Sequence, residues 1–540
     1  MTEKKWWKES VVYQIYPRSF YDSNQDGIGD LKGIIKKLDY FVDLGVDVIW
    51  ICPMYQSPND DNGYDISDYQ SIMEEFGTME DFDRLLDEAH DRGLKVILDL
   101  VLNHTSDEHH WFIESRSAKD HPKRDWYIWR DQPNNWESIF GGSAWEYDDK
   151  TGQYYLHIFS KKQPDLNWEN EEVRHNLYDM VNWWLDKGID GFRIDAISHI
   201  KKTEGLPDAQ NPECKPYAPA WEHMMNVDGI HDFLEELNQQ TFSNYDIMTV
   251  AEANGVGTED IHQWVGQSGK FNMVFQFEHL ALWDGESNKD LNIIELKETL
   301  TRWQKTLERD GWNALFIENH DIPRVTSTWG NDSNYWRESA TALGAMYFFM
   351  KGTPFIYQGQ EIGMTNSEFK QIGEFNDVRT INDYYLKKQE GYSHEEIMAI
   401  LNKTSRDHSR TPMQWNNQDH AGFSQTSPWL KVNDNYEWLN VEKQQNDEGS
   451  VLSFYKKMIK LRRQYDVFIY GQYELQMADH PTIFSYTREY EGVRMLIVTN
   501  LSEQPAVMDS FDIDKLLLSN DSDASSNVLN PYEARVYKLK

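Results

Sequence analysis

Disulfides cannot hold this chain together, because its 540 residues contain only two cysteines. Cys52 and Cys214 stand in no spacing that suggests a zinc site or a redox pair. Long apolar runs are missing as well. No stretch approaches the roughly 18 residues that a membrane span needs, so a soluble protein without a membrane partner is expected. The N-terminus, MTEKKWWKES, has neither an apolar segment nor a cleavage site, which makes the cytoplasm the expected location. Positive charge is scarce. With 53 basic against 90 acidic residues the formal net charge is −37, which repels nucleic acid and anionic membranes and favours a neutral partner. Internal repeats and low-complexity segments are also lacking.

Aromatic side chains, by contrast, make up 14% of the chain, with 21 Trp and 29 Tyr, and flat sugar faces stack well on such rings. The length predicts two or three domains, one of them as large as a barrel. Short β-branched runs ending in polar residues alternate with amphipathic helical patterns, as in parallel βα units. Eight strand candidates fall at 11–17, 46–53, 94–101, 188–196, 246–253, 273–279, 314–321 and 353–361. The expected fold class is α/β, a (β/α)8 barrel. Residues 1–103 and 172–466 form the predicted barrel domain. The segment 104–171 after the third strand is far longer than the ~2–6 residues of an ordinary βα loop and predicts a subdomain over one barrel face. A polar insert with helical patterns spans about 365–410, and residues 467–540 change texture to short strands, predicting a C-terminal β-sandwich domain.

A (β/α)8 barrel builds its active site at the C-terminal ends of its strands. Strand three ends in Asp99, Asn103 and His104; strand four in Arg193 and Asp195; strand five in Glu252; strand seven in Asn319, His320 and Asp321. A single Asp at a strand end is commonly a helix cap or turn former. The whole set at matched ends is harder to explain that way. Retaining hydrolysis of a glycosidic bond needs one ionised carboxylate to attack and one protonated carboxyl to assist the leaving oxygen. Arg193, two residues before Asp195, shares its strand face and should keep that carboxylate deprotonated, as suits a nucleophile. Glu252 follows the apolar MTVA, which should desolvate it and raise its pKa, as suits a general acid. Asp321 is left to bind sugar hydroxyls.

The segments DLVLNHTSD, GFRIDAISH, TVAEANG and FIENHDIPR resemble the four characteristic stretches of glycoside hydrolase family thirteen, the α-amylase superfamily. QPDLNW and RTPMQW resemble its oligo-1,6-glucosidase and α-glucosidase branch, and the likeness runs over almost the whole chain. It implies Asp195 as nucleophile, Glu252 as acid/base and Asp321 as transition-state stabiliser. Asp61, Tyr64, His104, Arg193, His320 and Arg410 would surround the terminal glucose, with Phe140, Phe159 and Gln163 contributed by the inserted subdomain. An Asp61–Arg410 pair across the pocket floor would admit only chain ends, giving exo action on oligosaccharides of maltose or isomaltose type.

Within that branch the alternatives are an oligo-1,6-glucosidase, a trehalose-6-phosphate hydrolase or a sucrose isomerase. The Arg-rich loop of the isomerising members is not found around 320–345. The superfamily's noncatalytic transporter heavy chains carry a membrane helix that this chain lacks. Ala196, directly after Asp195, bears on linkage: members preferring α-1,6 bonds resemble one another in having Val there, and Ala196 looks like the α-1,4 group. Finally, DSNQDGIGD places Asp22, Asn24, Asp26, the Ile28 carbonyl and Asp30 at positions 1, 3, 5, 7 and 9 of a calcium-type loop, with Gly27 at position 6. The acid expected at position 12 is replaced by Gly33. A structural Ca2+ is therefore expected there, and no organic cofactor.

Overall fold

The computed structural model describes residues 4–286, 291–522 and 526–540. Residues 1–3 and 287–290 of the expected barrel domain, and residues 523–525 of the expected C-terminal domain, lie outside the described residues. Eight parallel strands form the centre: β1 (Val12–Ile15), β2 (Val48–Ile51), β3 (Lys95–Val101), β4 (Gly191–Asp195), β5 (Met248–Glu252), β6 (Met273–Phe275), β7 (Ala314–Leu315) and β8 (Thr353–Tyr357). They pair in the order 6-5-4-3-2-1-8-7. A parallel bridge between Val274 and Asn313 joins β6 to β7 and closes the sheet into a barrel.

Alternation along each strand sorts the side chains. Val12, Val48, Trp50, Ile97, Met248, Val250, Phe275 and Phe355 fill the interior, while Tyr13, Ile49, Val96, Leu98, Phe192 and Ile356 face the surrounding helices. Two residues further along the inward rows, Gln14, Asp99 and Glu252 follow Val12, Ile97 and Val250, while on β4 Arg193 and Asp195 follow Gly191. The same pattern that packs the lower barrel thus aims polar groups into its mouth. Caps fix where the helices begin: Thr78 makes a capping box before the helix Met79–Asp91, and Asn170 accepts from Glu172 and Val173 before Glu171–Asp186.

Over the mouth, the 104–171 segment carries a three-stranded antiparallel sheet of Trp129–Arg130, Trp145–Asp148 and Gln153–Leu156. The long stretch after β4 docks on it, with Trp136 Nε1 donating to Pro207 O at 2.8 Å and Trp136 bridging to Ala218. The polar insert folds into the helices Val378–Gln389 and His394–Thr404. Five antiparallel strands follow: β9 (Gln472–Gln476), β10 (Ile483–Tyr490), β11 (Val493–Asn500), β12 (Ile513–Ser519) and β13 (Ala534–Leu539), in the order 9-10-11-13-12. A two-stranded ribbon, Ala506–Val507 with Val528–Leu529, covers one face around Leu496, Val498 and Tyr537. The other face meets the barrel through buried cations: Lys297 Nζ reaches the carbonyls of Met477 (2.9 Å), His480 (2.6 Å) and Ile483 (3.3 Å). Arg488 binds those of Phe349, Phe468 and Gly471. Among the described residues no helix is long and apolar enough to cross a membrane. Cys52 is buried and Cys214 exposed, and both are free.

Candidate active site

Arg193, buried inside the barrel mouth, gathers three acids. One of its terminal nitrogens lies 2.7 Å from Asp99 Oδ1 and 2.7 Å from Asp195 Oδ1, and the other bonds Glu252 Oε2. Strands β3, β4 and β5 therefore present their terminal carboxylates to a single guanidinium. Asn254 Nδ2 also donates to Glu252 Oε1 at 3.1 Å. Asp99 accepts from Trp50 Nε1 (3.1 Å) and Tyr64 Oη (3.0 Å). Three carboxylates around one cation carry a surplus of negative charge, which favours retaining a proton in the group.

Protonation preferences correct one expectation. Burial pushes Asp195 well above the usual carboxylate range, and Glu252 and Asp99 add to the rise, so Arg193 opposes the shift without overcoming it. Asp99 is likewise raised by burial, to about 6. Nor does the apolar MTVA run enclose Glu252, which is partly exposed at the mouth and held by polar partners. Asp321 differs: burial opposes its charge, but His320, Arg406 and Arg410 outweigh that and hold it well below the usual range. Burial lowers His320 to about 3, so it is neutral. With the Gln14 amide nitrogen 2.8 Å from Nδ1, the proton sits on Nε2, which faces Tyr64 Oη at 2.7 Å and Asp321 Oδ2 at 3.1 Å.

The pairing expected between Asp61 and Arg410 is not found. Arg406 takes that place, with one terminal nitrogen 3.2 Å from Asp61 Oδ1, the other 3.1 Å from Asp321, and Nε 3.0 Å from Asp377. Arg410 lies one helical turn on and is spent on Asp321 (3.0 Å) and the His320 carbonyl (2.9 Å). A four-residue spacing in SRDHSR puts both arginines on one side of a turn, and only their reach separates them. Burial raises Asp61 to about 6 even with Arg406 beside it.

A cavity of about 430 Å³ opens at this centre. Asp61, Tyr64, His104, Phe140, Phe159 and Ala196 line it together with Asp195, Glu252 and Asp321. Gln163, Arg193, His320 and Arg410 stand behind that lining and hold it. Gln163 Nε2, for instance, is 3.1 Å from Asp61 Oδ2 and 3.2 Å from His104 Nε2. Phe140 and Phe159 meet edge to face at 5.6 Å, and Arg406 lies over the Phe140 ring at 5.1 Å. Ala196 adopts a left-handed φ of 44°, so the chain turns directly after Asp195 and carries this methyl to the pocket wall. Residues not anticipated at the wall are Arg406, Arg379, His199, Trp221, Met225 and Asn254.

In the loop expected to bind calcium, Gly27 has φ +91°, and a Cβ there would come 2.3 Å from Ser427 O, so glycine is required. The acids, however, serve the backbone. Asp22 accepts from the N–H groups of Asn24, Gln25 and Gly27 and from Ser424 Oγ. Asp26 accepts from Ile28 N–H, while Asp30 takes Ser23 N–H and caps the next helix at Gly33 N–H. Among the described residues no group of three Asp, Glu, His or Cys side chains converges to hold a metal. The residue types fit a hard cation, and in this arrangement the carboxylates that would hold it are taken up by backbone N–H groups.

The description "Alpha amylase, catalytic domain" matches residues 14–471. This chain belongs to the α-amylase family. Within that family it is 59% identical to "Probable oligo-1,6-glucosidase 3" of Bacillus subtilis (strain 168), over 99% of each chain. It is 52% identical to the "Oligo-1,6-glucosidase" of Bacillus cereus over the full length of both. The crystal structure of isomaltulose synthase (PalI) from Klebsiella sp. LX3 superposes with a TM-score of 0.95 at 43% identity, covering 99% of this chain and 100% of that one. The protein is thus a glycoside hydrolase of the family's α-glucosidase and oligo-1,6-glucosidase branch.

Proposed function

We propose that the chain is a retaining, exo-acting α-glucosidase that releases α-glucose from the non-reducing end of short α-glucosides, preferring α-1,4 bonds of the maltose type. The observation that carries this reading is the single guanidinium of Arg193 joining Asp195 to Glu252 at the base of a pocket walled by Asp61, Arg406 and Asp321. A wall of this kind favours a chain end over a chain that runs through. The proton retained among the three acids around Arg193 must sit on Glu252 when substrate reacts: Asp195, ionised against that guanidinium, then attacks the anomeric carbon with Oδ while the Glu252 carboxyl gives its proton to the departing glycosidic oxygen. A glucosyl ester on Asp195 results. Glu252, now ionised, takes a proton from water, whose oxygen attacks the same carbon and releases Asp195. Asp321, kept ionised by two arginines, is suited to hold sugar hydroxyls and offset the positive charge that develops on the ring.

Linkage preference rests on Ala196 at the pocket wall. A valine's extra methyls would crowd a directly linked sugar, whereas the added rotatable bond of a 1,6 linkage lets that sugar swing aside. The difference is worth about 1–3 kcal/mol, which gives preference and not exclusivity. The oligo-1,6-glucosidase reading is favoured by the names of both Bacillus relatives. NMR of early product from p-nitrophenyl α-glucoside, whose leaving group is not a sugar, tests the stereochemistry, and kcat/KM on maltose and isomaltose tests the linkage: α-glucose first, with a higher kcat/KM on maltose, is expected. Release of β-glucose ends the retaining assignment, and a higher kcat/KM on isomaltose hands the linkage to the second reading. We further propose a cytoplasmic location, and for the 22–30 loop a structural calcium ion that binds by displacing some N–H donors from Asp22.

A further inference from the structure

We propose that Trp221 is the platform on which the leaving sugar stacks, and that it sets how strongly a second glucose contributes to catalysis. The proposal rests on the reading of Glu252 as the proton donor. Trp221 is 43% exposed, and of the exposed large hydrophobic side chains among the described residues it alone lines the catalytic pocket. It stacks on no ring and makes no hydrogen bond among the described residues. Scattered exposed hydrophobics are ordinary on a surface, but an exposed indole at the rim of an acid-lined pocket is placed for a ligand.

Its backbone is pinned while its ring is left free. Two residues on, His223 lies parallel to Trp136 at 5.8 Å. Next, Met224 is buried against the inserted subdomain and its carbonyl bonds His199 Nδ1 at 2.8 Å, four residues past Asp195. Then Met225 packs over Gly255, where a Cβ would come 2.5 Å from Met225 Cε. Gly255 follows Glu252 by three residues, so this turn is clamped to the segment that carries the proton donor. The leaving oxygen must lie against Glu252 to receive its proton, and the sugar attached to that oxygen then extends toward Glu252's own side of the pocket. Met225 lies on that side against Gly255, and Trp221 lines the same pocket from the start of the short helix that leads into Met225. A neutral pyranose offers a face of C–H groups that an indole ring accepts without any charge.

The test compares substrates that differ only in what leaves. Maltose and isomaltose present a second glucose, whereas α-glucosyl fluoride presents none but uses the same acids. Trp221→Ala should lose about tenfold in kcat/KM on the favoured disaccharide and no more than about twofold on α-glucosyl fluoride. Trp221→Phe, which keeps a flat apolar face, should recover most of the loss. An equal loss on both substrate types, or none on either disaccharide, overturns the platform. Failure of the unaltered protein to cleave α-glucosyl fluoride would instead overturn the glycosidase reading beneath it.

Discussion

Replacing Arg406 by methionine keeps the length of the side chain and removes the guanidinium that touches Asp61, Asp321 and Asp377 together. Asp377 would still hold Thr380 Oγ1 at 2.7 Å, and Asp321 would keep Arg410 at 3.0 Å. Asp61 would be left with the Gln163 amide at 3.1 Å. A hydrogen bond to a charged group is worth about 1.5–3 kcal/mol, and each pKa unit corresponds to about 1.4 kcal/mol. Losing Arg406 should therefore move Asp61 up by about one to two units. It starts at about 6, so the change carries it past neutrality. The direction follows from the acid: protonated Asp61 accepts sugar hydroxyls poorly, and protonation sets in as pH falls. In the unaltered protein KM for maltose should rise below about pH 6. In Arg406→Met that rise should begin about one to two pH units higher, with KM at pH 6.5 up by about three- to twenty-fivefold and largely restored by pH 8.5. Steady-state kcat and KM measured from pH 5 to 9 read this directly. A KM profile with an unshifted inflection, or a loss confined to kcat, would refute the assignment of Arg406 to Asp61.

Three other substitutions or treatments have definite outcomes. Asp195→Asn should abolish turnover of maltose while circular dichroism stays native, since Asn keeps the shape and removes the attacking charge; residual activity above about one part in a thousand would point to a different nucleophile. Ala196→Val should shift the maltose to isomaltose ratio of kcat/KM toward isomaltose. Because φ is 44° there and β-branched residues resist that region, it should also cost about 1–2 kcal/mol of stability, read as a lower Tm. Excess EDTA should lower Tm and added Ca2+ restore it, whereas unchanged Tm together with no calcium by elemental analysis would discard the ion at the 22–30 loop.

The barrel was legible because alternation is local: an inward apolar row followed two residues later by a polar one marks both a strand and its catalytic end, as in Ile97 and Asp99 or Val250 and Glu252. The seventh strand shows the limit. Its pattern runs on through 314–321, yet only Ala314–Leu315 pair in the sheet, because the residues beyond turn inward to serve the site. Arg406 was not legible for a different reason. It lies in an insert outside the strands, and its choice over Arg410 depends on how the helix of Asp407–Arg410 sits against the pocket. The rise in Asp195 was equally hidden, since burial by neighbours from β3 and β5 outweighs the charge of an arginine two residues away. Trp221 belongs to a stretch without periodicity, where exposure alone distinguishes it.

Among the described residues Lys297 and Arg488 pair with no carboxylate at the seam between barrel and C-terminal sheet; Lys297 ends on backbone carbonyls of the sheet segment and Arg488 on the carbonyl of Phe349 across the seam. A cut placed near residue 467, where the sequence changes texture, would strand an ammonium inside the barrel helix Ile293–Thr306 with its three oxygens gone. The same cut bares the core in which Tyr473, Phe484, Tyr486 and Ile497 of the sheet pack with the barrel helices, and a few such side chains at about 1.5–3 kcal/mol each make up a large part of a typical net stability. The two layers are therefore bound to melt in one transition. Neither half is a spare part: a barrel expressed alone should aggregate, and proteases acting on the native protein should leave no long-lived core that ends at the seam.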